Sequence, residues 1–204
     1  MSEDQTNNKE SSSSSEEQQQ LSKQFSNHLE TALAHKQKGN DFVSQQEWKK
    51  ASFEYKHIPL YLNQYVNKNG GGGNEADAMI ALTGRKNTAK DAPRSAEQDE
   101  QLMTTLYAAH CNLSLVHLSL GRTQQALQSA QSAIDLNPAA VKGYYRRARA
   151  RLAIGLVEEA ASDFNFVLVQ NPGDSASKQG LEEVKKALAK AREKEAKMCA
   201  KMFA

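Results

Sequence analysis

The segment GRTQQALQSAQSAIDLNPAAVKGYYRRARARLAIGLVEEAASDFNFVLVQNP, residues 121–172, contains one pattern twice. Gly121 and Gly155, Ala126 and Ala160, and Pro138 and Pro172 are each 34 positions apart. Three interlocked pairs at one period mark a repeat architecture, in which each unit buries its apolar face against the next. Within a unit an apolar-periodic stretch runs to the glycine, a second helix carries the alanine, and Asn-Pro closes it. Asn137-Pro138 and Asn171-Pro172 are helix stops, because proline lacks the donor that a helix interior needs and drives the preceding residue out of the α region. Ala126, Ala133, Ala148 and Ala160 fall where two helices of a unit must approach closely, and larger side chains there would hold them apart.

This spacing resembles the tetratricopeptide repeat, with small residues and aromatics at fixed offsets and a proline at the end of the unit. The resemblance implies an all-α fold in which three helix-turn-helix repeats form a right-handed superhelix, followed by a C-terminal capping helix. Phe164 and Tyr55 match the aromatic position of the second helix. An earlier and less regular unit fits the same offsets with Lys36, Gly39, Asn40, Trp48, Ala51 and Tyr55, although Gln46 replaces the turn glycine and Asn63 the proline. Three units are about the minimum that can bury a continuous core.

Working outward, the 204 residues hold one modest helical domain and much solvated sequence. Residues 1–20 are Ser, Gln, Glu and Asn with almost nothing apolar, so disorder is expected there. Residues 21–174 form the repeat domain and 175–204 the capping helix and basic tail. Asn112 lies 72 positions after Asn40, more than unbroken periodicity allows, so 67–98, with Gly70 to Gly73 and Pro93, is a flexible insertion between the first and second repeats. Within it Met79, Ile80 and Leu82 leave open a helical turn over 76–84. The expected helices are 21–43, 46–66, 99–120, 123–136, 139–154, 157–170 and 175–203. Leu181, Val184 and Leu188 give the last an apolar stripe, with Lys185, Lys186, Lys190, Arg192, Lys194 and Lys197 outside it.

Lys36 and Asn40 are four apart and share a helix face, as do Lys142 and Arg146. In the resembled family the first helix of every repeat lines the concave side, which places Asn112 between those pairs. Three cations with no acid at matching offsets would repel one another, and an anionic ligand would relieve that cost. Arg146 offers a forked donor set, the lysines act as point charges, and the amides donate without adding charge. The strings KQKGN, CNLSLVHLSLG and KGYYRRARA place all five residues on the carboxylate-clamp positions of tetratricopeptide co-chaperones. That family grips the C-terminal Glu-Glu-Val-Asp of the 90-kDa and 70-kDa heat-shock chaperones, so the resemblance implies a non-catalytic adaptor for such a peptide. Leu115, Leu118, Tyr145 and Arg149 would extend the groove, while Arg147 and Arg151 reach solvent or pair with acids of the neighbouring helix. The segment 189–203, AKAREKEAKMCAKMF, is similar to the charged helix that follows the repeats in large FK506-binding immunophilins. The roughly 28 residues before the repeats leave no room for an isomerase domain, and Met1 suggests a stand-alone adaptor, so isomerase activity is not expected.

Other functions are disfavoured. His110 and Cys111 point about 100° apart on a helix and His117 fits an apolar position, so neither a metal site nor a thiol nucleophile forms. Glu158, Glu159 and Asp163 read as an exposed face without a partner to tune an acid-base pair. No cofactor is implied. Few aromatics and a net charge of +2 argue against nucleic acid, and Cys111 and Cys199 against a disulfide framework. No stretch approaches the roughly 20 apolar residues of a membrane span, nor a signal peptide, so the expected location is the cytoplasm, with nuclear access. Two alternatives remain: an unrelated peptide in the groove, or calmodulin on the basic tail with Met198, Met202 and Phe203.

Overall fold

A computed structural model of the chain describes residues 6–66 and 88–202. Among them run seven α-helices: α1 (Thr6–Ser44), α2 (Trp48–Leu62), α3 (Ala96–Ser119), α4 (Thr123–Leu136), α5 (Val141–Ile154), α6 (Val157–Gln170) and α7 (Ser175–Met202). Each packs on the next, and α1, α3, α5 and α7 also touch in succession. The odd-numbered helices therefore form a continuous inner row, which is the architecture expected of three stacked helix pairs and a cap.

One turn is built three times. Gln46, Gly121 and Gly155 all have positive φ, at 58°, 70° and 94°. After each, the next backbone N–H reaches back to a carbonyl of the preceding helix: Glu47 to Phe42, Arg122 to His117 and Leu156 to Arg151, at 2.8, 2.8 and 2.9 Å. These bonds satisfy carbonyls that a helix end leaves open. The following helix then begins with Ala51, Ala126 or Ala160 donating to Glu47, Arg122 or Leu156, and all three alanines are completely buried. The Asn-Pro stops also match. Asn137 Oδ1 accepts from the Ala139 N–H and Asn171 Oδ1 from the Gly173 N–H, turning the chain back toward the inner row.

The apolar interior falls into two clusters. Phe25, Tyr55, Ile58, Leu62, Tyr65, Leu102, Leu106 and Val116 join α1 to α3, and Phe164 with Val184 anchors α7 on α6. Leu181 and Leu188 pack around the second cluster as the stripe on the cap helix requires. Gly180 sits against Phe164 so closely that a Cβ there would come within 2.5 Å of the ring. Cys111 is buried and Cys199 exposed, both as free thiols. No described helix is long and apolar enough to cross a membrane.

Three expectations need correction. Residues 6–20 are helical, because α1 starts at Thr6 and not at 21. That stretch contains no Gly or Pro, and adding turns to a helix already anchored by Phe25 and Leu29 costs far less than nucleating one. The insertion ends sooner than 98. Ser95 accepts from the Gln98 N–H while the Gln98 side chain accepts from the Ser95 N–H, a capping box that starts α3 at Ala96. Just before it, Arg94 lies over the Phe25 and Tyr65 rings at 5.3 and 5.9 Å, tying the returning chain to α1. Asp163 is buried beneath arginines of α5 and is not part of an exposed face. Met79, Ile80 and Leu82, residues 1–5 and Phe203 lie outside the described residues.

Gln46 carries a backbone strain that the two glycines do not. Gln46→Gly is expected to raise stability by about 0.5–1 kcal/mol. Gly155→Ala is expected to lower it by about 1 kcal/mol, through strain alone because nothing lies within 4 Å of the added Cβ. Urea denaturation of the three chains measures both shifts.

Candidate functional site

The inner row places the five polar residues on α1, α3 and α5. Asn40 and Asn112, 72 positions apart, meet at the junction of α1 and α3. The Tyr55 hydroxyl of α2 donates to Asn40 Oδ1 at 2.7 Å, and Asn112 Nδ2 lies 3.3 Å from the same oxygen and 3.2 Å from the hydroxyl. With its oxygen occupied twice, the Asn40 amide is held in one orientation, and Asn112 Nδ2 is engaged by both acceptors of the knot. Burial pushes the Tyr55 phenol up from its ordinary value, so the hydroxyl stays a donor.

Gly39 makes the knot possible. A Cβ on Gly39 would stand 2.6 Å from the Tyr55 ring, so any side chain there would lift α1 off α2 and carry Asn40 with it. The glycine of KQKGN thus serves packing, and the asparagine beside it is positioned as a result.

The second half of the site is on α5. Lys142 is exposed and Arg146 half-buried, and both bear on the Cys111 thiol next to Asn112, which burial pushes up while the two cations pull it down. Arg146 Nε is buried with no hydrogen-bond partner. Burial holds its guanidinium below the ordinary arginine value, with Arg149 adding to the effect. Among the described residues none of Lys36, Lys142 and Arg146 makes an ion pair. Lys36 is one turn from Asn40 on α1, and no polar contact ties it to the other four.

The neighbouring arginines are each paired with an acid. Arg147 grips Asp163 with two bonds of 2.7 and 2.9 Å and also reaches Gln131, and Arg151 meets the same carboxylate at 2.7 Å. Arg149 pairs with Glu183 of α7 at 2.6 Å and does not present a free cation to the groove. Leu115 and Leu118 are half-buried on α3. Tyr145 packs its edge on Phe164 and, with Val141, Lys142, Val167 and Ala176, lines a cavity of about 220 Å³ beside the α5 start. Among the described residues no cluster of His, Cys, Asp and Glu could hold a metal ion. The sequence reading missed Tyr55 as a polar member of the site. Its signal was a hydroxyl on an aromatic where the third repeat has Phe164.

No family model matches the chain. It is 27% identical over 175 residues to peptidyl-prolyl cis-trans isomerase FKBP4 of Bos taurus, a match covering 86% of this chain and 32% of that protein. The chain therefore spans about a third of that relative's length. Among solved structures, the C-terminal TPR-containing domain of a Plasmodium falciparum FK506-binding protein superposes with a TM-score of 0.62 at 16% identity, covering 83% of this chain and 95% of that domain. The first TPR of Spaghetti (RPAP3), bound to the HSP90 peptide SRMEEVD, gives 0.55 at 21% identity, over 78% of this chain and 94% of the other. The second TPR domain of human RPAP3, in complex with the HSP70 peptide SGPTIEEVD, gives 0.52 at 20%, over 76% and 95%. At these identities the likeness establishes the fold, an all-α tetratricopeptide superhelix.

Two outcomes follow from the geometry. Arg146→Met replaces a desolvated, unpaired donor by an apolar chain of similar length and is expected to raise the melting temperature by about 2–4 °C, the shift of roughly 1 kcal/mol in a chain this size. Gly39→Ala is expected to destabilise by about 1–3 kcal/mol through overpacking on Tyr55. Thermal unfolding followed by circular dichroism reads both.

Proposed function

We propose that this chain is a non-catalytic adaptor whose inner groove captures the acidic C-terminal Glu-Glu-Val-Asp peptide of a 90-kDa or 70-kDa heat-shock chaperone. Arg146 carries the reading: a half-buried guanidinium with an unmet Nε donor and no acidic partner beside it is costly unless an anion completes it. A C-terminal aspartate brings two carboxylates on one residue. Lys142 and Arg146 on α5 supply cationic donors to meet them, the Asn40 amide stands across the α1–α3 junction with Lys36 one turn away, and Asn112 serves by holding Asn40 through its own Nδ2. The RPAP3 domains that share this fold carry peptides ending in the same acidic sequence.

The cations also select by what they lack. Arg147, Arg149 and Arg151 are each ion-paired with Asp163 or Glu183, so among the described residues of the site Lys36, Lys142 and Arg146 are the cations without an ion pair. Each charge-assisted hydrogen bond to a carboxylate contributes on the order of 1.5–3 kcal/mol. The cavity beside Tyr145 and Lys142 offers a residue upstream of the carboxylates the apolar walls of Val141, Val167 and Ala176, with Asn171 and Asp174 completing its lining.

A second reading rests on α7, whose exposed Met198 and Met202 lie among lysines, a surface suited to calmodulin. Calorimetric titration with a free Glu-Glu-Val-Asp peptide separates the two. Binding is expected, weakened at least about tenfold by Lys142→Ala or Arg146→Ala and by amidation of the peptide's C-terminus. Absence of binding to the intact chain, with calcium-dependent capture by calmodulin, would transfer the function to the tail.

A further inference from the structure

Lys142 and Arg146 depend on where α5 begins, and α5 begins without a cap of its own. Its N-cap residue is Ala140, in the extended conformation (φ −86°, ψ 113°) that a capping serine or aspartate adopts, but with no side chain to accept a hydrogen bond. The first turn of α5 holds no acid, and Lys142 lies within it, where the helix dipole disfavours a cation. The missing acceptor is supplied from α3. The Tyr107 hydroxyl accepts from the Gly143 N–H at 2.9 Å and donates to the Ala140 carbonyl at 3.3 Å. Gly143 is the third helical residue, whose N–H a capping side chain ordinarily satisfies. Cys111, one turn further along α3, interacts with the same hydroxyl. Burial pushes the Tyr107 phenol far above its ordinary range, so the group remains neutral.

The next repeat boundary solves the same problem in a different way. Asp174 stands 34 positions after Ala140, and its carboxylate accepts from the Ser177 N–H at 2.8 Å, Ser177 standing 34 after Gly143. A carboxylate at position 140 would cap α5 just as well. It would also stand two residues before Lys142 and compete with a peptide carboxylate for that lysine.

We propose that Tyr107 is a positioning residue for peptide capture, a neutral cap lent by α3 that fixes the start of α5 without introducing an acid into the groove. The proposal rests on the reading of the groove as a carboxylate receptor. It concerns the two α5 cations and leaves the Asn40–Tyr55–Asn112 knot untouched.

The test uses the full chain and a free Glu-Glu-Val-Asp peptide, with affinity from calorimetry and stability from thermal unfolding. Tyr107→Phe removes only the hydroxyl and is expected to weaken binding about fivefold, the factor that matches loss of one cap. Adding Ala140→Ser supplies a neutral local cap and is expected to restore both melting temperature and affinity. Adding Ala140→Asp instead is expected to restore the melting temperature while leaving affinity at or below that of Tyr107→Phe. In an Arg146→Ala background, Tyr107→Phe is expected to cost clearly less than it does alone. Equal rescue of affinity by Ser and Asp, or an undiminished loss in the Arg146→Ala background, overturns the proposal. Failure of the unmodified chain to bind any peptide overturns instead the function on which it rests.

Discussion

The left-handed residue between paired helices sets the geometry on which everything else rests. At Gln46, Gly121 and Gly155 the chain reverses through the same backbone conformation and the same reach-back hydrogen bond. A fixed reversal brings the second helix down at a fixed distance, which only Ala51, Ala126 and Ala160 can accommodate. Three like reversals stack three helix pairs, and the first helices of the pairs then line up along one side. Glycine accepts the conformation without strain. Gln46 adopts it because the helices on either side of it are already held by Tyr55 and the core around it.

The proposed function draws on the charge that this regular frame leaves without a partner. Most arginines on α5 are answered by acids on α6 and α7: Asp163 serves two and Glu183 one. Arg146 is left with a buried Nε that has no hydrogen-bond partner, its guanidinium lying over the Tyr145 ring at 5.8 Å. On the other side of the groove the amides are oriented in advance, since Tyr55 and Asn112 both occupy the Asn40 oxygen. On the proposed reading a peptide carboxylate would meet an Asn40 amide already oriented, which would lower the ordering cost of binding. The same economy governs the start of α5, where a phenol caps the helix and an aspartate does so one repeat later.

Much of this was legible in the chain. The period, the turn glycines, the Asn-Pro stops and the small residues at close approaches are local signals whose chemistry acts within a few positions, so the helix map and the stacking follow from them. Capping signals are equally local, and Ser95 with Gln98 would have given the start of α3 had it been read as a capping box. Helix continuation was harder to see. Residues 6–20 look unstructured by composition, yet they extend a helix that Phe25 anchors further along.

The residue types of the groove also belong to the sequence: KQKGN, the asparagine after Cys111 and the Lys-Arg pair of KGYYRR announce donors in register. Which donors are free does not. Periodicity gives the face of a helix on which a side chain lies, but not the neighbour it touches across the gap between helices, and a hydrogen bond or ion pair is decided there within a few tenths of an ångström. Hence Arg149, which the sequence places with Arg146 on the groove, is taken by Glu183 in the fold, while Arg146 Nε is left without a hydrogen-bond partner. Tyr55 and Tyr107 become polar parts of the site for the same reason, since each reaches a helix far along the chain. The sequence determined the repeat and the chemistry of the groove, and helix packing decided which of its charges remain available.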